Sequence, residues 1–320
     1  MIALLIGSIV SIAAISIFLA VKQTYRYNQA VSEVQDGMRV AFEYLSHDLR
    51  QAGLSGCDAS EPVANVLNNS PNNGGNAWYA NWSNAVHGYD GQTADPAIAT
   101  GTGVGQRVTG TDSLEVFTLP DAGVSIAQDT NNGSSSAEFK LNAPSTLMPG
   151  DLAMVCDYDH SVIFQVTGPH SDNLTVVHNT GTGTPGNCSK GMGYPTSCTT
   201  NGNSYTFSPN SRMVRLQASV WYLGHNPVQG ISLYRETLVA NSGALTPEVD
   251  EMVRNVTAWT PLYHLMGQTG FVAAGSVPDW SQVDAVQLKL TVQSSDQTVN
   301  QGAPYQRTVH TTVDLRNRSS

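Results

Sequence analysis

The first 21 residues constrain this chain most, because they contain no ionisable side chain and are long enough to cross a membrane. Twelve residues of the stretch MIALLIGSIVSIAAISIFLAV are Ile, Leu, Val or Phe. As an α-helix, the stretch would span roughly 31 Å, about the thickness of the hydrocarbon core of a bilayer. The aliphatic side chains favour insertion by more than the serines oppose it. We therefore predict a membrane-spanning helix over residues 1–21.

Within this segment, the residues expected to pack in a membrane or against other helices are Ile2, Leu5, Ile6, Gly7, Ile9, Ile12, Ile15, Phe18 and Leu19. Part of the surface is small, since Gly7 and three serines (Ser8, Ser11 and Ser16) lie on it. Small residues allow helices to approach closely inside a membrane. The alternative is the ordinary tolerance of membrane helices for small residues, and the sequence leaves both interpretations open.

The helix is predicted to continue as an amphipathic segment over residues 22–53. Its apolar residues recur at spacings of three and four and so form one stripe: Val31, Val34, Met38, Phe42, Leu45 and Leu49. Gly53 and Gly56 supply a stop signal. A helix from Met1 to Ala52 would be roughly 78 Å long, which one small domain cannot cover. We expect the stripe to dock a globular head and the remainder to meet partners.

Composition places a β-rich, loop-rich head after the helix, over residues 54–320. Only 12% of the residues are charged, and the chain contains 29 glycines. The net charge is −10, and because four basic and four acidic residues balance within residues 1–56, the head carries all of it. An acidic head argues against binding to a phosphate backbone, so no nucleic-acid partner is expected.

Four cysteines form an even set that fits an oxidising compartment. They allow three pairings, of which we favour Cys188 with Cys198, because a crosslink would define the short Gly- and Pro-containing loop between them. Cys57 with Cys156 would then tie the end of the helix to the sheet. Free buried thiols are the alternative. The absence of Cys-x-x-Cys and of metal-type Cys/His spacing predicts no zinc site.

The head alternates strand patterns with turns, which predicts an antiparallel sheet with one solvated face and an α+β fold overall. Expected strands are 113–119, 151–157, 161–167, 173–178, 212–224, 231–238, 286–292 and 309–315. Residues 247–259 are predicted to open as a short helix and to finish as a strand. Residues 58–112 and 179–211 lack periodicity and are expected to be long insertions.

Two features of the head admit a binding role. Trp78, Tyr79, Trp82 and Tyr89 are expected to cluster near His87, and Trp78 and Trp82 are the candidate ligand patch. The favoured alternative is that these rings pack an insertion onto the sheet. The acidic turn Asp157–His160 has the charge to attract calcium but lacks the ligand spacing of a calcium-binding loop, so a solvated turn is favoured.

No motif of an enzyme appears in the sequence. Nucleophile elbows, phosphate-binding loops, zinc-protease motifs and dinucleotide fingerprints are absent from it. The adjacent carboxylates Asp250 and Glu251 would point apart on a helix, so they are not an acid/base pair. We therefore predict no catalytic residue, no cofactor and no metal. A membrane-anchored hydrolase remains a remote alternative.

The chain resembles type IV pilins, and in particular the PilW-like minor pilins. The resemblance rests on the uncharged start, the continuing amphipathic helix and its ending HDLRQAGLSGC (47–57). Later blocks also resemble that family: GDLAMVCDYDHSVIFQVT (150–167), LYRETL (233–238), VDEMVRNV (249–256) and TTVDLRNR (311–318). The resemblance implies a pilin-like fold, in which a long N-terminal helix carries a C-terminal β-sheet head.

The resemblance also implies a function without catalysis, as an initiation or tip subunit of a type IV pilus. Its partners would be other minor pilins and the major pilin. Its location would be the bacterial inner membrane, with the head in the periplasm, and then the extracellular pilus. Two alternatives are a tip adhesin that binds a surface ligand and a J-type pseudopilin of type II secretion.

The start of the chain departs from the pattern of that family. Its members begin with a basic leader and a mature sequence of the type F-x-L-I-E-L-M, and this chain opens at what resembles the final methionine. The assembly glutamate would then lie two residues before Met1, so a trimmed chain or a misplaced start is expected. A basic leader would also explain the orientation, since Lys22 and Arg26 alone would place the wrong end in the cytoplasm.

Overall fold

In a computed structural model, the chain forms one long N-terminal helix and a body of two β-sheets. The structure describes residues 2–53, 62–82, 84–121, 123–130, 137–169 and 173–315. The predicted α+β class is confirmed at this level, because the helix is followed by a body of mainly antiparallel strands.

The helix α1 spans Ile2–Gln51, which is 50 residues. Its apolar first half contains a segment of mean hydropathy 2.2, and no residue of that segment is buried. The helix is followed by Gly53, whose positive φ of 69° is one that glycine adopts without strain. The Gly53 amide then donates to the carbonyl of Phe117 at 3.1 Å, which turns the chain onto the first sheet.

The first sheet contains twelve strands among the described residues. They are β1 Val63–Asn65, β2 Val86–Tyr89, β3 Ser113–Thr118, β4 Val124–Asp129, β5 Glu138–Leu141, β6 Leu152–Cys156, β7 Ser161–Gln165, β8 Gly168–Pro169, β9 Thr175–Val177, β10 Arg212–His225, β11 Ile231–Asn241 and β12 Ala244–Arg254. β1 runs parallel to β7, and the other described pairs of this sheet are antiparallel.

The strand β10 joins the two halves of this sheet. Its first residues, 212–216, pair with β6, and Arg212 and Met213 also pair with β4. Its later residues pair with β3 on one side, over 217–222, and with β11 on the other, over 219–225. One long strand therefore belongs both to the half that carries β4–β9 and to the half that receives the helix.

The second sheet has the strand order β14-β13-β15-β16 and is antiparallel. Its strands are β13 Val256–Leu265, β14 Phe271–Val272, β15 Val283–Gln293 and β16 Gln306–Asp314. The predicted alternation at 286–292 holds, because Val286, Leu288, Leu290 and Val292 are all buried. These four side chains belong to the core that lies under the helix.

That main core is built from three elements: the docked face of α1, the inner face of the β3–β10–β11 region and the inner face of the second sheet. Trp221 and Trp259 are its tryptophans, one from each sheet. A separate core under the half with β4–β9 contains Phe139, Phe164 and Phe207, whose rings contact one another. Both sheets thus contribute to the surface on which the helix lies.

The predicted short helix at the start of 247–259 is wrong. These residues form the end of β12 and the start of β13, and β12 pairs with β11 over ten positions. A bulge at Leu233/Tyr234 leaves Met252 as an extra residue between Glu251 and Val253. Because of that bulge, Met252 and Val253 both pack on the inner side. The irregular alternation produced the helical spacing in the sequence.

The two predicted insertions differ in how much regular secondary structure they contain. Within 58–112, the described residues include the short strands β1 and β2, whose three and four residues are too few to show periodicity. Within 179–211, the chain forms isolated β-bridges rather than strands. The strands β4 and β5 were not predicted either, and β5 begins directly after a stretch, 131–136, that lies outside the described residues.

Candidate functional site: the N-terminal helix and its docking surface

The first half of α1 is an apolar rod with no cover from the head. The described side chains from Ile2 to Tyr25 are exposed, with Ile2 at 79% and Phe18 at 66%. The other predicted packing residues, Leu5, Ile6, Gly7, Ile9, Ile12, Ile15 and Leu19, are exposed as well. By length and composition, this helix is a candidate membrane span. An exposed apolar surface of this extent is typical of a membrane or protein interaction site.

The hydroxyl groups in this segment are satisfied within the helix. Ser8, Ser11 and Ser16 donate to carbonyls three or four residues earlier, at 2.8–2.9 Å. This removes much of the cost of placing a hydroxyl group in hydrocarbon. A Cβ atom at Gly7 would meet nothing within 4 Å. The fold of this chain therefore does not need glycine there, and any requirement for it would come from a partner.

The second half of α1 docks on the head through the predicted stripe. Val34, Met38, Leu45 and Leu49 are buried, while Val31 and Phe42 are half-buried. Small residues complete the buried face and were missed in the sequence: Ala30, Ala41 and Ala52. Their buried Cβ atoms follow the same spacing of three and four, which was the available signal. Alanine on the inner face lets the helix axis approach the sheets closely.

Gly37 marks a close approach of the helix to the head. A Cβ atom at this position would lie 3.3 Å from a methyl carbon of Val253 and 3.6 Å from one of Val292. These valines belong to the first and second sheet respectively, so both sheets meet the helix here. A side chain much larger than a methyl group would push the helix away from both.

A buried ionic cluster holds the C-terminal end of the docked segment of α1. Asp48 is 5% exposed, and its carboxylate lies 3.0 Å from Nε of Arg235 on β11. Trp221 on β10 donates its indole N–H to the same carboxylate at 2.9 Å. Asp48 lies three residues after Leu45 and four before Ala52, which puts it on the buried stripe.

Polar contacts also hold the N-terminal end of the docked segment, next to the apolar first half of α1. Arg26 donates through Nε to Asp296 at 2.8 Å and through Nη2 to Thr298 at 2.8 Å. The hydrogen bonds from Arg26 lower the pKa of Asp296. About two turns further on, Glu33 accepts hydrogen bonds from the backbone N–H and the hydroxyl of Ser295 at 3.1 and 2.9 Å. The loop 294–298 is therefore fastened to the helix just beyond the predicted membrane segment.

The candidate ligand patch is packed against the sheet. The rings of Trp78 and Trp82 lie 6.3 and 5.1 Å from the ring of Phe117, and both tryptophans are half-buried. Trp82 also donates its indole N–H to the carbonyl of Tyr79. This arrangement favours the packing alternative for these side chains.

The predicted aromatic cluster is in fact two separate groups. His87 on β2 stacks with Tyr89 of the same strand and with Trp280, which precedes β15, rather than with Trp78 and Trp82. Trp78 and Trp82 lie beside Phe117. His87 and Tyr89 lie on β2, at the junction of the two sheets. The prediction of one cluster is therefore wrong.

The predicted disulfide between Cys188 and Cys198 is confirmed, with 4.9 Å between the Cα atoms. Cys156 is also disulfide-bonded. Its predicted partner, Cys57, lies outside the described residues, so that pairing stays a prediction.

The acidic turn after β6 is occupied by internal hydrogen bonds. Asp157 accepts from the Tyr205 hydroxyl with both oxygens at 3.0 Å, and from the backbone N–H groups of Asp159 and His160 at 3.1 Å. In the parts of the chain that the structure describes, no group of three or more His, Cys, Asp or Glu side chains is arranged to hold a metal ion. Asp250 and Glu251 lie on a strand, where Glu251 forms an ion pair with Arg254 at 3.0 Å.

Comparisons with protein-family models, with curated proteins and with solved structures give no match.

Proposed function

We propose that this protein is a minor pilin, a structural subunit that is anchored in the inner membrane and then assembles into a type IV pilus. One observation carries the proposal: a continuous 50-residue helix is bare and apolar in its first half and docked on a β-rich head in its second half. A subunit that must occupy first a bilayer and then a helical filament core needs such a division. PilW-like sequence blocks in the head favour this family over other membrane-anchored proteins.

The boundary between the two halves supports membrane anchoring. Lys22, Tyr25, Arg26 and Tyr27 follow the apolar segment directly, and such side chains are typical of the interface between hydrocarbon and water. Arg26 and Tyr27 also contact the head, through Asp296 and through the ring of Tyr305 at 5.6 Å. The head would therefore sit immediately above the membrane surface. The disulfide Cys188–Cys198 fits a head in an oxidising compartment.

A deletion in the native host tests the assembly role. Loss of the gene is expected to abolish or strongly reduce surface pili and twitching, and the full-length gene should restore both. A matched pair of variants sharpens the test: Ile12→Asp places a charge in the bare helix, whereas Tyr44→Asp places one on the exposed face of the docked half. We expect Ile12→Asp to block complementation and Tyr44→Asp to retain it. Normal pili in the deletion strain would contradict the proposal.

A J-type pseudopilin of type II secretion shares the same helix plan and is the second candidate. The division of the helix favours both candidates equally. Neighbouring genes and the phenotype of the deletion distinguish them, since a pseudopilin would be needed for secretion and not for twitching. The packed state of Trp78 and Trp82 gives the adhesin alternative no support from those two residues.

A further inference from the structure

A set of carboxyl groups lies on the face of the first sheet that points away from the helix. Glu115 on β3 and Glu236 on β11 are both paired with Val220 of β10. Residues directly opposite on neighbouring strands point to the same face. The two carboxyl groups therefore flank Val220, on strands that are about 10 Å apart. Val220 belongs to a small outer cluster with Tyr222, whereas Trp221 points into the core under the helix.

A covering segment, residues 90–112, brings a third carboxyl group onto this face. Asp95 is 5% exposed and accepts from the Ser113 hydroxyl at 2.6 Å and from the Ala97 amide at 2.8 Å. It is also hydrogen-bonded to Glu115, which is 2% exposed. Two carboxyl groups in such contact must share a proton, because two adjacent buried carboxylates repel each other. Glu115 is the proton holder, since burial and Asp95 raise its pKa well above the ordinary value.

The buried cation in this region is used to fold the covering segment. Arg107 is 2% exposed, and its guanidinium donates to the backbone carbonyls of Asp90 at 2.8 Å, Thr93 at 3.2 Å and Thr111 at 2.9 Å. These contacts join the two ends of the segment. The charge of the guanidinium also acts to lower the pKa of Asp95, whereas the groups that shift the pKa values of Glu115 and Glu236 include no cation.

The two parts of the covering segment are attached differently. Residues 104–108 are bound to β10 by backbone hydrogen bonds, such as Gly105 N–H to the carbonyl of His225 at 2.9 Å and Val108 N–H to that of Leu223 at 2.9 Å. Residues 94–98 are attached to the sheet through the hydrogen bond from the Ser113 hydroxyl to Asp95 and through Ile98, which packs in the outer cluster. Arg107 holds the flanking carbonyls of Thr93 and Ala99. The polar attachment of 94–98 itself therefore depends on Asp95, a member of the carboxyl set.

Titratable and charged groups from every packed element face this set. They are His87 and Tyr89 on β2, Asp90, Asp95, Arg107 and Asp112 in the covering segment, Glu115 on β3, Tyr222 on β10, Tyr234 and Glu236 on β11, Glu251 and Arg254 on β12, and Tyr263 on β13. Acidic groups outnumber basic ones, so ionisation increases repulsion within the set.

We propose that Asp95, Glu115 and Glu236 form a proton-operated latch that holds residues 94–98 on the sheet in acid and releases them as the pH rises. Burial and Asp95 raise the pKa of Glu236 to about 7. A raised pKa in the closed state means that closure is fully stabilised below the ordinary pKa of glutamate and weakens as the pH rises through about 7. Release uncovers Val220 and the rings of Tyr222 and Tyr234, which pack under Ile98 in the closed state.

Hydrogen–deuterium exchange of the full chain in detergent micelles tests the latch. After correction for the intrinsic exchange rate, protection of peptides covering 94–98 should fall by about tenfold to a hundredfold per pH unit between pH 5 and 7, as expected when opening releases the proton of Glu236 alone or those of both Glu115 and Glu236. Protection of residues 104–108 should change much less, because their hydrogen bonds to β10 involve no carboxyl group. Protection of 94–98 that does not vary with pH in the wild-type protein would overturn the proposal.

The double variant Glu115→Gln/Glu236→Gln removes the titrating protons of both carboxyl groups and keeps hydrogen-bonding groups in their place. We expect protection of 94–98 that is independent of pH in this variant. Glu248→Gln, at an exposed position of β12, is the matched control and should retain the wild-type profile. A double variant that keeps the wild-type pH dependence would equally overturn the latch.

Discussion

The indole N–H of Trp221 donates to the carboxylate of Asp48 at 2.9 Å, across 173 positions of the sequence. Trp221 is paired in register with Arg235 on the neighbouring strand, and Arg235 forms the ion pair with the same carboxylate. The guanidinium carbon also lies 5.8 Å from the centre of the indole ring. One helix side chain is therefore held by two adjacent residues of the central strands. This contact specifies how the end of the helix sits on the sheet.

Replacing Asp48 should destabilise the docked helix through the charge left behind. Asp48→Asn keeps an acceptor for Trp221 but leaves Arg235 unpaired and mostly buried. Breaking a buried ion pair from one side costs about 3 kcal/mol. Chemical unfolding of the full chain in detergent measures the loss. Asp36→Asn is the control, because Asp36 forms an exposed pair with Arg39 at 3.7 Å and such pairs contribute less than about 1 kcal/mol. Equal losses in the two variants would contradict this interpretation.

Gly37 should tolerate alanine but not leucine. Alanine gains about 0.8 kcal/mol of helix propensity, which offsets the tight contact with Val253. Leucine has no space between Val253 and Val292, and overpacking of this kind costs about 1–3 kcal/mol. The unfolding free energies of Gly37→Ala and Gly37→Leu measure the difference. A leucine variant as stable as the alanine variant would show that the helix can shift away from the sheets at little cost.

His178 should make the head sensitive to acid. Its ring is fully buried and stacked on Phe139 at 4.7 Å, and neither ring nitrogen has a hydrogen-bond partner among the described residues. Burial lowers its pKa to about 3. The folded state therefore disfavours the imidazolium, so stability is complete above pH 6.5 and falls as the pH drops toward 3.

The variant His178→Phe keeps the ring stacking and removes the titration. We expect its advantage over the wild-type protein in unfolding free energy to grow by about 1.4 kcal/mol per pH unit below pH 6.5. Unfolding curves recorded from pH 7 to pH 4 measure this difference. Two parallel pH profiles would show that the ring accepts a proton without cost.

His264 should behave in the opposite way. Its Nδ1 lies 2.6 Å from the carboxylate of Asp284, and its Nε2 lies 2.9 Å from the carbonyl of Gln268. Both neighbours are acceptors, so both nitrogens must carry protons. The hydrogen bond to Asp284 raises the pKa of His264, and the stabilisation is lost as the pH rises through that raised value.

NMR titration of the full chain in micelles tests this prediction. Asp284→Asn should lower the pKa of His264 and leave the resonances of the exposed His47 unchanged. If His264 titrates identically in the variant and the wild-type protein, Asp284 is not the cause of the raised value.

The sequence was sufficient for features that depend on local pattern. A run without charge, followed by apolar residues at spacings of three and four, predicts the helix α1 and its docked face. Strict alternation predicts β15 and β16. The Cys188–Cys198 bond follows from a short loop closed by two cysteines. Each of these patterns concerns residues that are close together in the chain.

The features that were missed depend on contacts between distant residues. Asp48 belongs to the buried face only because Trp221 and Arg235 supply a donor and a counter-charge there. Residues 247–254 form a strand because β11 pairs with them, and the bulge at Met252 hides the alternation. The carboxyl set has the same origin, because the charge of Asp95 acts on Glu115 and Glu236 only once the covering segment lies on the sheet. No spacing in the sequence carries this information.

The ion pairs at the two ends of the docked helix also resist a force along the helix axis. Arg26 and Asp48 are 22 residues apart, or roughly 33 Å along the helix axis. An apolar stripe with spacings of three and four would match its groove again after sliding by one turn of about 5.4 Å. The ion pairs of Arg26 and Asp48 cannot slide in that way without being broken together. A force that pulls on the bare end of the helix is therefore transmitted to the head at two distant ion pairs, and the helix keeps its register on the head.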